Sequence, residues 1–199
     1  MLWLWIIACV IVIAALLFIY GYNKIISLEK RVEQSWADID VQLTRVNELF
    51  PNLINTVKSS AVFEKSVLEN IAKAHNELIK TMSSSRSIDE KVKAASKFMG
   101  VFVPIVYQIP QYPKLTSTKS FKELMDKISV AIDKIAYARQ FYNQAVRDYN
   151  TFILSAPWFL IGRMIGKKEK SFFEMPERRR EEVERRLEKG EYTKGLEKI

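Results

Sequence analysis

Asparagine is a poor residue for the middle of a helix, because its amide competes for the backbone's own hydrogen bonds. Of the asparagines in such settings here, Asn52, Asn143 and Asn150 are the informative ones. Asn52 follows Pro51, where its side chain could bond backbone groups freed at a kink. Asn143 and Asn150, seven residues apart, share one helical face, with Arg139 four residues before the first. Such a row suits a polar layer inside a helical bundle, fixing register at some cost in stability. The functional alternative is a binding pocket at the kink. Asp38 and Asp40 sit near Arg45, and an acid with a base several residues later on a helix is usually a surface pair. The candidate polar network or partner site is therefore Asp40, Arg45, Asn52, Arg139, Asn143 and Asn150.

Other chemistry is scarce. One cysteine, Cys9, excludes a disulfide framework and a cysteine-based zinc site, and one histidine, His75, leaves almost no material for a His-rich metal centre or a Ser-His-Asp triad. There is no glycine-rich phosphate loop, no His-Glu-x-x-His and no nucleophile elbow. The carboxylates do not form Glu-x-x-His pairs of the di-iron type. No metal, no cofactor and no enzymatic activity are expected. The net charge of +8 suits a body beside an anionic inner leaflet. Arg178-Arg179-Arg180 is followed by Glu181, Glu182 and Glu184, so no nucleic-acid partner is expected.

Those residues must be positioned by a body hung from an apolar start. Leu2 to Tyr20 are nineteen consecutive apolar residues, and all 31 basic and 23 acidic residues follow them. As a helix the run spans about 30 Å, the thickness of a bilayer's hydrocarbon core. It lacks the basic n-region and small-residue cleavage site of a secretory signal, and it is too long for one. Leu2, Trp3, Trp5, Ile11, Leu16 and Tyr20 mark this membrane anchor, with aromatic rings near both ends. Lys24, Lys30 and Arg31 follow it, and no Lys or Arg precedes it. A single pass is expected, with the N-terminus outside and the body in the cytoplasm.

After the anchor the chain reads as helices. Ile25, Leu28, Val32, Trp36, Ile39, Leu43, Val46 and Phe50 recur every three or four residues, a helix with one buried stripe and no breaker before it except Gly21. Pro51 predicts a kink or a restart, and Leu53 to Ile79 continue the period to about Met82. Ser83 to Ser87 read as a turn, and Ser87 with Glu90 has the form of a capping box. Residues 98–109, apolar on nearly all sides, are either core or a patch at the membrane surface, with core favoured. Ser120 with Glu123 suggests a second capping box ahead of a long helix to Ile153. Pro157 ends that pattern. Residues 152–165 are again apolar and are followed by Lys167, Lys168 and Lys170; an interfacial segment and a closure of the bundle's end fit equally well.

With these segments in place, the chain resembles the LemA family. The resemblance runs through Tyr22-Asn23, Trp36-Ala37-Asp38-Ile39-Asp40-Val41-Gln42-Leu43 with Arg45, and Leu49-Phe50-Pro51-Asn52-Leu53-Ile54 with Val57. Glu64 sits where the family places a Glu in its second helix. It continues through Tyr112-Pro113-Lys114-Leu115, Phe121, Leu124 and Ile135-Ala136-Tyr137-Ala138-Arg139-Gln140-Phe141-Tyr142-Asn143. Val146, Tyr149-Asn150, Pro157 and Phe172-Phe173-Glu174 complete it. The resemblance implies a single-pass membrane protein with a long helical bundle and brings no catalytic activity.

The fold class expected is all-α: an N-terminal transmembrane helix continuing into a long antiparallel up-and-down helical bundle. Its divisions are 1–22 as anchor, 23–165 as LemA-like bundle and 166–199 as a charged, partly helical tail. The function expected is a non-enzymatic, membrane-anchored scaffold for protein partners, with lipid binding or membrane remodelling by the apolar segments as the alternative. The lipid bilayer and unidentified proteins are the partners, and a homo-oligomer is compatible with the pattern.

Overall fold

A computed structural model of the chain describes residues 1–60, 63–112 and 118–176. Its elements are α1 (Leu2–Ser59), α2 (Lys65–Met82), α3 (Ile88–Gln108), α4 (Lys119–Leu154) and α5 (Trp158–Met164), with a 3-10 turn at Ile109–Gln111. Among the described residues there is no strand, and residues 167–176 form a non-helical segment. The fold is all-α.

α1 joins the two parts of the molecule. At 1.5 Å per residue its 58 residues reach about 87 Å. From Leu2 to Tyr20 every residue is exposed, Leu2, Trp3, Trp5, Ile11, Leu16 and Tyr20 included. An apolar stretch that the body leaves wholly uncovered is suited to lipid rather than to a core. Burial begins at Gly21 and follows Ile25, Leu28, Val32, Trp36, Ile39, Leu43, Val46 and Phe50. The period of the sequence is thus the contact stripe of the helix.

The helices run up, down, up and down. α4 lies antiparallel to α1: Arg31 pairs with Asp148 at 3.3 Å, and Trp36 meets Tyr142 edge to face with centroids 5.8 Å apart. α2 and α3 form a hairpin, crossed by Lys97 and Glu77 at 2.6 Å. The hairpin packs on the distal half of the α1–α4 pair. There Phe50 stacks on His75 with centroids 3.8 Å apart and meets Phe98 and Phe102. His75 is buried, its Nε2 has no hydrogen-bond partner among the described residues, and burial pushes its pKa below the ordinary histidine value. It serves as a neutral core ring.

Three boundaries differ from expectation. α1 runs through Pro51 with no restart and ends at Ser59, so Leu53, Ile54 and Val57 belong to it rather than to a second helix. The break falls at Ser59 and Ser60, whose hydroxyls donate to the carbonyls of Thr56 and Val57 and offer the backbone a local alternative to the helix. Glu64 is accordingly the N-cap of α2. α4 starts at Lys119 with Thr118 as N-cap, so Ser120 already lies inside the helix and forms no capping box. The Ser87–Glu90 capping box does form. Residues 98–109 are core: Phe98, Met99, Phe102, Val103, Ile105, Val106 and Ile109 are all buried, and Pro104 is accommodated within α3.

Candidate functional site

Toward the membrane the bundle is completed by the segment from Lys167 to Met175, a strap that returns along α4 from the bundle's base and passes beside the first turns of α3. Asn150 grips Lys170 on both sides: its amide nitrogen donates to the Lys170 carbonyl at 2.9 Å, and its oxygen accepts the Lys170 N–H at 2.8 Å. Asn143 does the same with Phe173, at 3.1 and 2.9 Å. Tyr149 donates its hydroxyl to the Lys168 carbonyl at 3.2 Å, and Tyr142 to that of Ser171 at 2.9 Å. Arg139 donates to the Met175 carbonyl at 3.1 Å.

The spacing explains the ladder. Seven helical residues rise about 10.5 Å, and three extended residues span about 10 Å. A Tyr-Asn pair repeated every seven positions on α4 therefore meets every third residue of an extended chain. From the opposite side α3 uses the same arithmetic. Asp89 accepts the Ser171 N–H at 2.6 Å, and Ser96, seven residues later, accepts the Glu174 N–H at 3.0 Å. These contacts from α3 and α4 all go to the strap's backbone. Its side chains alternate, as in a strand: Phe173 and Met175 are buried, Phe172 and Glu174 exposed. Phe173 fits edge-on to Trp36 with centroids 6.1 Å apart.

The strap's start is latched by charge. Lys167 and Lys170 both donate to the Glu29 carboxylate, Lys170 at 3.1 Å. Burial alone would raise the Glu29 pKa, but the two lysines outweigh it and hold it below the usual range. Asp89 behaves alike: burial opposes ionisation, and the hydrogen bonds from Ser171 with the ion pair to Lys93 overcome it. Burial, with the nearby Glu29 charge, pushes the Tyr149 hydroxyl up to about 12, and burial with Asp89 raises Tyr142 likewise, so both remain donors. Gly166, with φ of +69°, makes the turn from α5 into the strap, a backbone shape that favours glycine.

The residues singled out in the sequence separate into two groups. Arg139, Asn143 and Asn150 do form a network, but it holds an extended segment and is not a layer between helices. Asp40, Arg45 and Asn52 do not join it. Arg45 lines an open groove with Glu48, Asp126, Lys127 and Val130. Asn52 is exposed, caps nothing at Pro51, and borders another groove with Thr118, Phe121 and Glu123. Asp40 is half-buried; its backbone carbonyl accepts from Thr44. Glu29, Asp89, Ser96, Tyr142 and Tyr149 were missed, although the Tyr-Asn dipeptide at 142–143 and 149–150 is a readable repeat. The tail expected at 166–199 begins with this docked, non-helical strap, and the helix expected beyond it lies outside the described residues.

Chemically the arrangement binds backbone. Glu29 and Asp89 are paired with lysines, and among the described residues no three His, Cys, Asp or Glu side chains gather to hold a metal. Among known proteins, the chain is similar to Magnetosome protein MamQ 2 and MamQ 1 of Paramagnetospirillum magneticum, 22% identical to each over 175 residues. It is also similar to Magnetosome protein MamQ of Magnetospirillum gryphiswaldense, at 21% over 174 residues. These matches take in 76–77% of this chain and 64% of each relative, so the chain spans less than two thirds of their length. The family model described as LemA family matches residues 35–185, well over half of the chain and including the strap. With its uncovered apolar helix ahead of that match, the chain is a membrane-associated member of the LemA family.

Proposed function

We propose that this protein is a single-pass, non-enzymatic scaffold that presents one face of its α1–α4 pair to protein partners in the cytoplasm, with its N-terminus outside. The observation that carries the reading is an exposed apolar stripe. On α4, Val130, Tyr137 and Phe141 are exposed and, at 100° per residue, fall within about 40° of one another. Tyr137 and Phe141 meet edge to face, centroids 5.0 Å apart. On α1, Val41, Arg45 and Glu48 make a matching stripe, and the groove shared by Arg45, Glu48 and Val130 joins the two. Contiguous exposed apolar residues rimmed by charge mark interaction surfaces. Lys24, Lys30 and Arg31 at the anchor's exit support the orientation.

Crosslinking with mass spectrometry in native membranes tests the reading. Crosslinks from α1 and α4 to other proteins, or to a second copy, are expected, and they should disappear in a Tyr137→Ser/Phe141→Ser variant whose circular dichroism is unchanged. Crosslinks confined to one chain, or a partner set indifferent to the double variant, would overturn it.

A further inference from the structure

We propose that α5 is an interfacial foot, a short helix that enters the headgroup–acyl boundary of the bilayer beside the base of the anchor. The argument starts from its height. Gly21 is buried under α5: a Cβ placed there would stand 2.6 Å from Ile161 Cδ1 and 2.7 Å from Trp158 Cε3. Only glycine permits that approach, so α5 is pinned to α1 at the residue where the apolar run ends. Nineteen residues below it reach Leu2, about 28 Å at helical rise, which matches the hydrocarbon thickness. With the span in lipid, α5 lies at the boundary.

Its faces agree with that position. Trp158, Ile161, Gly162 and Ile165 turn toward the body, and Trp158 stacks on Phe152 at 5.2 Å and touches Tyr20 at 5.3 Å between centroids. The opposite face exposes Phe159, Leu160 and Met164, at 43, 54 and 74%, with Arg163 among them. Apart from Arg163, whose long side chain can carry its charge to the headgroups, α5 is apolar yet covered on one side only, which leaves an unpartnered face. What covers it is the lipid that its neighbour meets, because α5 is seated against Gly21 and Tyr20 at the foot of the anchor. The polar surroundings suit the same place. Lys24, Arg163 and Lys168 are exposed near this level, and Tyr20, Tyr22 and Trp158 supply the ring type that favours headgroups. Glu169 is the exposed acid nearby, while Glu29 is neutralised by Lys167 and Lys170. Such a helix sits about 5–10 Å into the interface. The foot fixes the tilt and rotation of the rod above it, and it does so whether or not a protein binds the α1–α4 face.

The test uses the full chain carrying Cys9→Ala, reconstituted in vesicles of phosphatidylcholine with a minor share of phosphatidylglycerol. Spin labels are placed at Leu160→Cys, Met164→Cys and, as a reference in water, Ser85→Cys in the α2–α3 turn. Labels at 160 and 164 should meet dissolved oxygen readily and be shielded severalfold from a nickel chelate, with the opposite balance at 85. A companion Phe159→Asp/Leu160→Asp variant, altered only at exposed positions, should lose the shielding at 164 while its circular dichroism stays helical. Nickel access at 160 and 164 equal to that at 85 would overturn the proposal. Shielding that vanishes on dilution into excess lipid would overturn it too, since the cover would then be a second copy.

Discussion

Replacing Asn150 by leucine removes the amide that holds Lys170 and keeps the bulk of the side chain. Two hydrogen bonds disappear, at 2.9 and 2.8 Å, from a residue only 9% exposed. Each is worth about 0.5–1.5 kcal/mol net, and an N–H or C=O left buried and unpaired costs about 1–3 kcal/mol. The strap is part-buried and regains some water on opening, so roughly 2–4 kcal/mol of local stability should be lost. At 1.4 kcal/mol per factor of ten that is roughly a 30-fold to several-hundred-fold rise in strap opening. Hydrogen exchange followed by mass spectrometry, on the full chain in detergent or nanodiscs, reads this directly at the amides of Lys170 and Ser171. Asn143→Leu should act alike at Phe173 and Glu174, and amides in the middle of α1 and α4 should keep their protection, because the effect is local. Unchanged protection in the strap of the Asn150 variant would refute the reasoning. So would a uniform loss across all helices, which would make Asn150 a core residue rather than a clamp.

Acid should release the strap by another route. Glu29 and Asp89 have folded pKa values held below their ordinary 4.5 and 3.8, so their contribution is full above those values and is lost as pH falls through the lowered ones. Protection of the strap amides, with exchange referred to the intrinsic rate at each pH, should fall steeply below roughly 4.5 on going from neutral pH to about pH 3, and Glu29→Gln with Asp89→Asn should flatten that fall. His75 is depressed by burial, so it stabilises the neutral form above the ordinary 6.5 and that contribution fades as pH falls below it. His75→Phe should remove this dependence from thermal melts taken between about pH 7 and 5 while keeping the stack on Phe50. Phe98→Ala, at a fully buried ring, should cost about 3–5 kcal/mol in denaturant unfolding of the body. Gly21→Leu should displace Trp158 and Ile161, raising proteolysis at 155–166 without changing membrane insertion.

Much of this architecture was legible locally. The anchor follows from nineteen residues without charge, and the stripe from Ile25 to Phe50 has the spacing that burial later uses. Helix ends were less secure. Pro51 reads as a break, yet α1 passes through it, because helix packing on both sides outweighs one lost hydrogen bond. Ser59 and Ser60, milder signals, are where the chain turns. Ser120 has the partner that a capping box needs, but Thr118 begins the helix two residues earlier. Of the candidate site, Asn143, Asn150 and Arg139 were found for the right reason, an amide or guanidinium inside a helix that must bond something. What they bond was assigned to a neighbouring helix, because the segment 167–176 reads as the start of a charged, solvated tail.

By its own pattern the sequence determines an apolar span, helices of the observed phase and an all-α body, since periodicity and charge are properties of adjacent residues and need no partner. Only the tertiary structure decides that the membrane-proximal half is completed by an extended strap. That pairing sets a rise of 1.5 Å per residue against one near 3.3 Å, so that every seventh residue of α4 answers every third residue of the strap. The matching residues lie about 20 to 30 positions apart in the chain on α4, and about 80 apart on α3. No local window contains both sides of the match, and it exists only once the helices have packed.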